Sequence, residues 1–202
     1  MSIREARIKG NAREQDNRMR NLIYAINISL DGCCDHTKIM ADDATHEYFM
    51  DLMRTVDLQI FGRKTYELMV PYWPDVAKDP SATKTEKDFA DLFNSISKVV
   101  FSRSLASVEP PNTRIVRTGL RDEILRLKQE QGKDIMVGGV DIPSQLIELN
   151  LIDEYRFVMS PVIAGEGRRL LEGVSLHDRL QLRLVDSHIF KSGSVALRFA
   201  KQ

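Results

Sequence analysis

The chain has 202 residues, 43% of them hydrophobic, with 29 basic side chains against 29 acidic ones. A chain of this size buries enough apolar surface for one domain, and the composition excludes wholesale disorder. Zero formal charge and no dominant basic patch argue against a dedicated nucleic-acid binder.

Residues 1–18 mix Arg4, Arg7, Lys9, Arg13 and Arg18 with Glu5, Glu14 and Asp16 and carry no apolar run. They read as a flexible tail, dispensable for folding, ahead of a single domain over 19–202. No later stretch approaches the roughly 20 apolar residues of a membrane span. The adjacent Cys33 and Cys34 are poor disulfide partners and suit free thiols in a reducing compartment, so a cytoplasmic location and no membrane partner are expected.

Leu22 to Ile28 is nearly continuous in apolar character and reads as a central strand covered on both faces. A loop from Ser29 to about Ala41 follows. Phe49, Leu52, Met53 and Val56 then recur at helical spacing, with Asp42 and Asp43 available to cap. Leu58, Ile60 and Phe61 form a strand, and Gly62-Arg63-Lys64-Thr65 turns into a helix expected to stop near Pro71. Phe89, Leu92, Phe93 and Ile96 mark a helix, and Lys98 to Phe101 a strand ending at Ser102-Arg103. Arg114 to Val116 is a short strand after the Pro110-Pro111 turn; Leu120, Ile124 and Leu127 mark a helix closed by Gly132. Ile135 to Val137 runs into Gly138-Gly139, and Asp141 is expected to cap a helix carrying Pro143 in its first turn. Tyr155 to Met159 is a strand. Alternating runs around Leu180–Leu184 and Val195–Phe199, joined by Asp186 to Gly193, read as an antiparallel hairpin. The class is α/β in three layers, a mixed, mainly parallel sheet with a C-terminal antiparallel hairpin.

Three strand ends carry unusual residues: Gly62 to Thr65, Ser102-Arg103 and Gly138-Gly139. In open α/β sheets ligands bind beyond the carboxyl ends of strands, and helix N-termini offer free amides to phosphate. Taken singly these motifs are ordinary turns and solvated arginines; together they suit a dinucleotide. No GxGxxG, GxSxG or zinc-ligand spacing occurs, and His36, His46, His177 and His188 are scattered, so no metal site is expected. Trp73, within Pro71-Tyr72-Trp73-Pro74, suits a sheet-edge cover or a shelter for a substrate ring.

Ser29-Leu30-Asp31-Gly32, Phe61 to Glu67, Val137-Gly138-Gly139, Leu151 to Glu154 and Pro161 to Gly167, in that order, resemble the dihydrofolate-reductase-like superfamily. Within it the chain is most similar to the reductase domain of bifunctional riboflavin-biosynthesis deaminase-reductases and its stand-alone bacterial relatives. The resemblance implies a sheet of roughly eight strands, a homodimer, and NADPH across the strand ends. It assigns Gly62, Arg63, Lys64 and Thr65 to the pyrophosphate and 2′-phosphate side, Ser102 and Arg103 to the adenine and 2′-phosphate, and Gly138 and Gly139 to the pyrophosphate. Ala25 and Ile26 would face the nicotinamide. Asp31 is the substrate-side polar candidate, with a loop-capping role equally open. The implied activity is hydride transfer to a small heterocyclic or carbonyl substrate; a non-catalytic dimeric nucleotide-binding module is the alternative. Dihydrofolate reductases proper carry a carboxylate on the helix before this Gly-Arg-x-Thr stretch. Ungapped counting puts His46 there, with Glu47 about 100° around the axis.

Overall fold

A computed structural model describes residues 18–39, 41–109, 111–117 and 119–202. Residues 1–17 lie outside it, and with them most of the expected tail; Arg18, the last residue of that segment, reaches Asp134 at 3.1 Å.

Strand β1 (Leu22–Ser29) leads through helix α1 (Asp43–Arg54) to β2 (Val56–Gly62), then α2 (Arg63–Lys78), α3 (Lys84–Ser95) and β3 (Ser97–Phe101). Strand β4 (Thr113–Val116), α4 (Leu120–Gln129), β5 (Asp134–Val137), α5 (Asp141–Glu148) and β6 (Glu154–Ser160) follow, and β7 (Leu182–Ile189) and β8 (Val195–Lys201) end the chain. The eight strands form one sheet in the order β4-β3-β2-β5-β1-β6-β8-β7. Pairing is parallel from β4 through β6 and antiparallel for β6-β8 and β8-β7. The expected α/β sheet with its antiparallel C-terminal hairpin is therefore the observed one. Among the described residues no helix is long and apolar enough to cross a membrane.

The continuous apolar run of β1 has the expected cause, since both sheet faces are covered. Ile23 and Ala25 pack with α1, α2 and α3 on one face, while Leu22 and Tyr24 pack with α4 and α5 on the other. Asp42 caps α1 as expected, its carboxylate accepting from the Thr45 amide at 2.8 Å. Buried charges tie the layers. Lys98 donates to the carbonyls of Phe93 and Ile96 at 2.6 and 2.7 Å, ending α3, and burial pushes its ammonium down to about 8. Asp153 accepts from the Leu22 amide at 2.7 Å and from Lys128 at 2.6 Å, joining β1 and α4 to the start of β6.

Four local expectations are corrected. Val56 opens β2 rather than closing α1. The α2 helix does not stop near Pro71 but continues through Pro71 and Pro74 to Lys78. A helix-interior proline costs about 3 kcal/mol. Here Tyr66, Val70 and Trp73 bury one face against the α3 aromatics, and burial of a Trp or Phe is worth about 3–5 kcal/mol against truncation. Pro71 is exposed and Pro74 half-buried, on the solvent side of the helix. Asp141 does not cap α5: Val140 is the N-cap, and the Asp141 carboxylate pairs with Arg168 instead. The last hairpin is joined by 190–194 rather than from Asp186, since Asp186, Ser187, His188 and Ile189 still pair with β8. Trp73 is a core residue, its ring 4.4 Å from Phe89 and 6.3 Å from Phe93.

Candidate functional site

Strand β5 lies between β2 and β1 and is the shortest of the three. Its pairing ends at Val137, opposite Ile60 on one side and Tyr24 on the other, while β1 runs on to Ser29 beside β6. Beyond that level Ala25 and Ile26 of β1 have no β5 partner, and the sheet splits. The chain crosses from β1 toward β2 on one side and from β5 toward β6 on the other, so the split lies at the topological switch point where ligands settle in α/β sheets.

Gly138 and Gly139 turn within this split. The Gly138 amide donates to the Ile60 carbonyl at 3.1 Å, and the Tyr24 hydroxyl donates to the Gly139 carbonyl at 2.9 Å. Gly139 has φ +86°, and a Cβ there would stand 2.2 Å from Thr65 Oγ1. The two glycine-bearing motifs, far apart in the chain, are thus in direct contact, and a Cβ on Gly62 would meet Ile142 of α5 at 3.1 Å.

Helix capping separates the helices into two groups. Side chains cap α1 (Asp42) and α3 (Thr83, reciprocated by Glu86). The N-caps of α2, α4 and α5 are Gly62, Gly119 and Val140, none with a side-chain hydrogen bond. Each of these three helices directly follows a parallel strand, and their first-turn amides are left for another acceptor. A cleft of about 340 Å³ opens between α4 and α5, lined by Phe101, Ser102, Arg103, Arg117, Gly119 and Gln145 among others.

The basic residues of the strand-end motifs differ in their engagement. Arg63 pairs with Glu67 at 3.0 Å, whereas Lys64 and Arg103 are exposed and have no ionic partner among the described residues. Ser102 is a turn former, its Oγ accepting from the Leu105 amide at 2.9 Å. Arg117, which the sequence reading missed, donates to the carbonyls of Leu105 at 2.8 Å and Arg103 at 3.3 Å and holds the loop that carries Arg103. The missed signal was available: Arg117 directly follows β4, a fourth strand end of the kind already used for the other three.

Asp31 sits apart from this cleft, on a loop laced to the segment 161–170. Leu30 and Cys34 amides donate to the carbonyls of Val162 and Arg168 at 2.8 Å, and the Leu170 amide returns to Gly32 at 2.7 Å. The Asp31 carboxylate accepts from Ser29 Oγ at 2.6 Å, from the Ala164 and Gly165 amides at 3.0 Å, and from Arg169 at 2.9 Å. These donors hold its carboxyl well below the usual carboxylate range, led by the Ser29 hydroxyl. Both cysteines are free thiols; Cys33 is buried and fills the space left by Gly167, where a Cβ would stand 2.8 Å from its sulfur.

His46 turns toward α2 and α3. Its ring lies 5.2 Å from Phe89 and 5.9 Å from Trp73, and its Nδ1 is buried without a hydrogen-bond partner; Glu47 is exposed. Burial lowers the imidazole pKa, against the opposing charges of Glu86, Asp43 and Asp42. The folded pKa is below the unfolded value, so the contribution is complete above about pH 6.5 and erodes as the unfolded chain takes up the proton below it. Thermal melts from about pH 7 to about pH 5 are therefore expected to show the wild type losing stability relative to His46→Phe.

A family model of the RibD C-terminal domain matches residues 20–196. The uncharacterized protein YyaP of Bacillus subtilis is 31% identical over 188 residues, covering 89% of this chain and 94% of that protein. Among solved structures, the diaminohydroxyphosphoribosylaminopyrimidine deaminase/5-amino-6-(5-phosphoribosylamino)uracil reductase of Thermotoga maritima superposes with a TM-score of 0.64 at 15% identity, over 91% of this chain and 57% of that one. Dihydrofolate reductase from Enterococcus faecalis, complexed with NADP(H), does so with a TM-score of 0.60 at 13% identity, over 92% and 99%. The fold is that of the dihydrofolate-reductase-like proteins. The chain belongs to the RibD C-terminal domain family.

Proposed function

We propose that the protein is an NADPH-dependent reductase of a small heterocyclic or carbonyl substrate, working as a homodimer in the cytoplasm. The observation that carries this reading is the set of three helix N-termini without a side-chain cap, α2, α4 and α5, at the carboxyl ends of parallel strands: α4 and α5 border the cleft with the unpaired Arg103, and Gly62, the N-cap of α2, stands beside Ile142 of its lining. Such a set suits a ligand with several phosphates. Gly62, Arg63, Lys64, Thr65, Gly138 and Gly139 would hold the pyrophosphate, Ser102 and Arg103 the adenosine with its 2′-phosphate, and Ala25 and Ile26 the nicotinamide side. When bound, NADPH supplies the hydride; the protein binds, orients and excludes water. Asp31, ionised and engaged by four donors, positions the loop beside the substrate rather than giving up a proton. That engagement also favours the second reading, a nucleotide-binding module without turnover. Titration with NADPH followed by a substrate screen tests both: absence of binding removes the two together, and binding without turnover of any heterocycle or carbonyl compound leaves the second.

Arg103→Ala is expected to weaken NADPH binding by about tenfold to a hundredfold, since a charge-assisted hydrogen bond to phosphate is worth about 1.5–3 kcal/mol. NADH affinity should stay within about twofold, as it lacks the 2′-phosphate. Equal losses for both would assign Arg103 to the loop or the adenine. Dihydrofolate is expected to support only trace NADPH oxidation, because His46 faces Phe89 and Trp73 and offers no carboxylate to a pterin. Robust turnover abolished by Glu47→Gln would contradict this.

A further inference from the structure

Strand β7 ends the sheet, and its outer row of backbone N–H and C=O groups meets no further strand among the described residues. Natural edge strands are blunted by shortness, charged side chains, proline or a bulge. The opposite edge, β4, has four residues, whereas β7 has eight; it contains neither Lys nor Pro, and its charges are the opposite pair Arg183 and Asp186 on either side of one register shift. It also exposes apolar side chains: Leu184 is 51%, Val185 40% and Ile189 75% accessible.

We infer that β7 pairs antiparallel with β7 of a second copy about a two-fold axis between Leu184 and Val185, joining the two sheets into one. This rests on the homodimer reading above and assigns its interface. Self-complementarity selects the register. It sets Leu184 opposite the partner's Val185, Arg183 opposite the partner's Asp186 and Leu182 opposite the partner's Ser187, and just ahead of the strand it brings Gln181 to the partner's His188 and Leu180 to the partner's Ile189. Apolar meets apolar at the axis, where Leu184 faces the partner's Val185, and opposite charges meet twice by symmetry. The faces agree as well. The register shift between Leu184 and Asp186 pairs Arg183 with Ala200 and Asp186 with Arg198, two residues apart on β8, so Arg183 and Asp186 project from the same face. Sliding by one residue would mismatch the faces. Sliding by two breaks both charge pairs, setting Arg183 against the partner's His188 and Asp186 against the partner's Val185.

Sedimentation of the full chain at micromolar concentration tests the interface with Asp186→Arg, Arg183→Asp and the double swap. The wild type is expected to be a dimer, each single variant to raise the dimer dissociation constant about tenfold or more, and the double swap to return within about threefold, because it rebuilds both cross-strand pairs in reversed sense. Amide exchange along β7 should slow as wild-type concentration is raised through the dissociation constant, which reads the edge without any substitution. Circular dichroism melts establish that the variants fold. A monomeric wild type would overturn both the interface and the homodimer reading. A dimer indifferent to the single reversals, or a double swap as weak as the singles, would overturn the β7 register while leaving the homodimer reading standing. The NADPH-binding reading is tested separately by NADPH affinity, which Asp186→Arg should leave unchanged.

Discussion

Gly139→Val is expected to abolish measurable NADPH binding and to lower the melting temperature by roughly 5–10 °C, at about 2–4 °C per kcal/mol for a domain of this size. Two costs add. A non-glycine residue at φ +86° carries about 1–3 kcal/mol of backbone strain. The Cβ would also stand 2.2 Å from Thr65 Oγ1 and 3.2 Å from Thr65 Cβ, so the Gly138-Gly139 turn must move off the first turn of α2. That contact brings together the two motifs proposed to hold the pyrophosphate, and separating them should cost binding more than stability. Gly173→Ala is the control: φ is +80° there and a Cβ meets nothing within 4 Å, so it isolates the strain. Thr65→Ala combined with Gly139→Ala should recover part of the lost stability relative to Gly139→Ala alone. If Gly139→Val binds NADPH normally, the ligand does not use this turn.

Asp31→Ala is expected to free the loop over 161–170, with faster hydrogen exchange at the Ala164 and Gly165 amides that now donate to the carboxylate at 3.0 Å. In a chain with turnover, kcat should fall by about tenfold or more, as for displaced positioning groups. Asp31→Asn separates shape from charge, keeping an acceptor for part of the network and losing the ion pair with Arg169. The acid limb of stability carries the same signature. The folded-state pKa of Asp31 is depressed, so its contribution is present above the unfolded value of about 3.9 and is lost as pH falls below it. Acid unfolding of Asp31→Asn should therefore show a smaller loss of stability below about pH 4 than the wild type does. Identical acid limbs would show that the carboxylate makes no net contribution to the fold.

Much of this protein was determined by local sequence alone. The apolar continuity of Leu22 to Ile28 placed β1 inside the sheet, because an exposed strand would alternate. Asp42 three residues before Thr45 started α1, because a short carboxylate reaches the free amides of a first turn. The glycine motifs at the ends of β2 and β5 were legible because only a missing Cβ explains glycine at a close backbone approach. Other features were decided by contacts between residues distant in the chain. The α2 helix survives Pro71 and Pro74 because Trp73 finds Phe89 and Phe93 on α3, a reward that helix propensity does not contain. Val56 joined β2 because a residue at a helix–strand boundary goes where pairing with β5 takes it. Asp141 forsook the cap for Arg168, and Arg117 entered the cleft because three carbonyls of the loop after β3 lie within reach. Periodicity and capping act over a few residues and can be read from them; which side chain fills a space is fixed only when the sheet brings its strands into register.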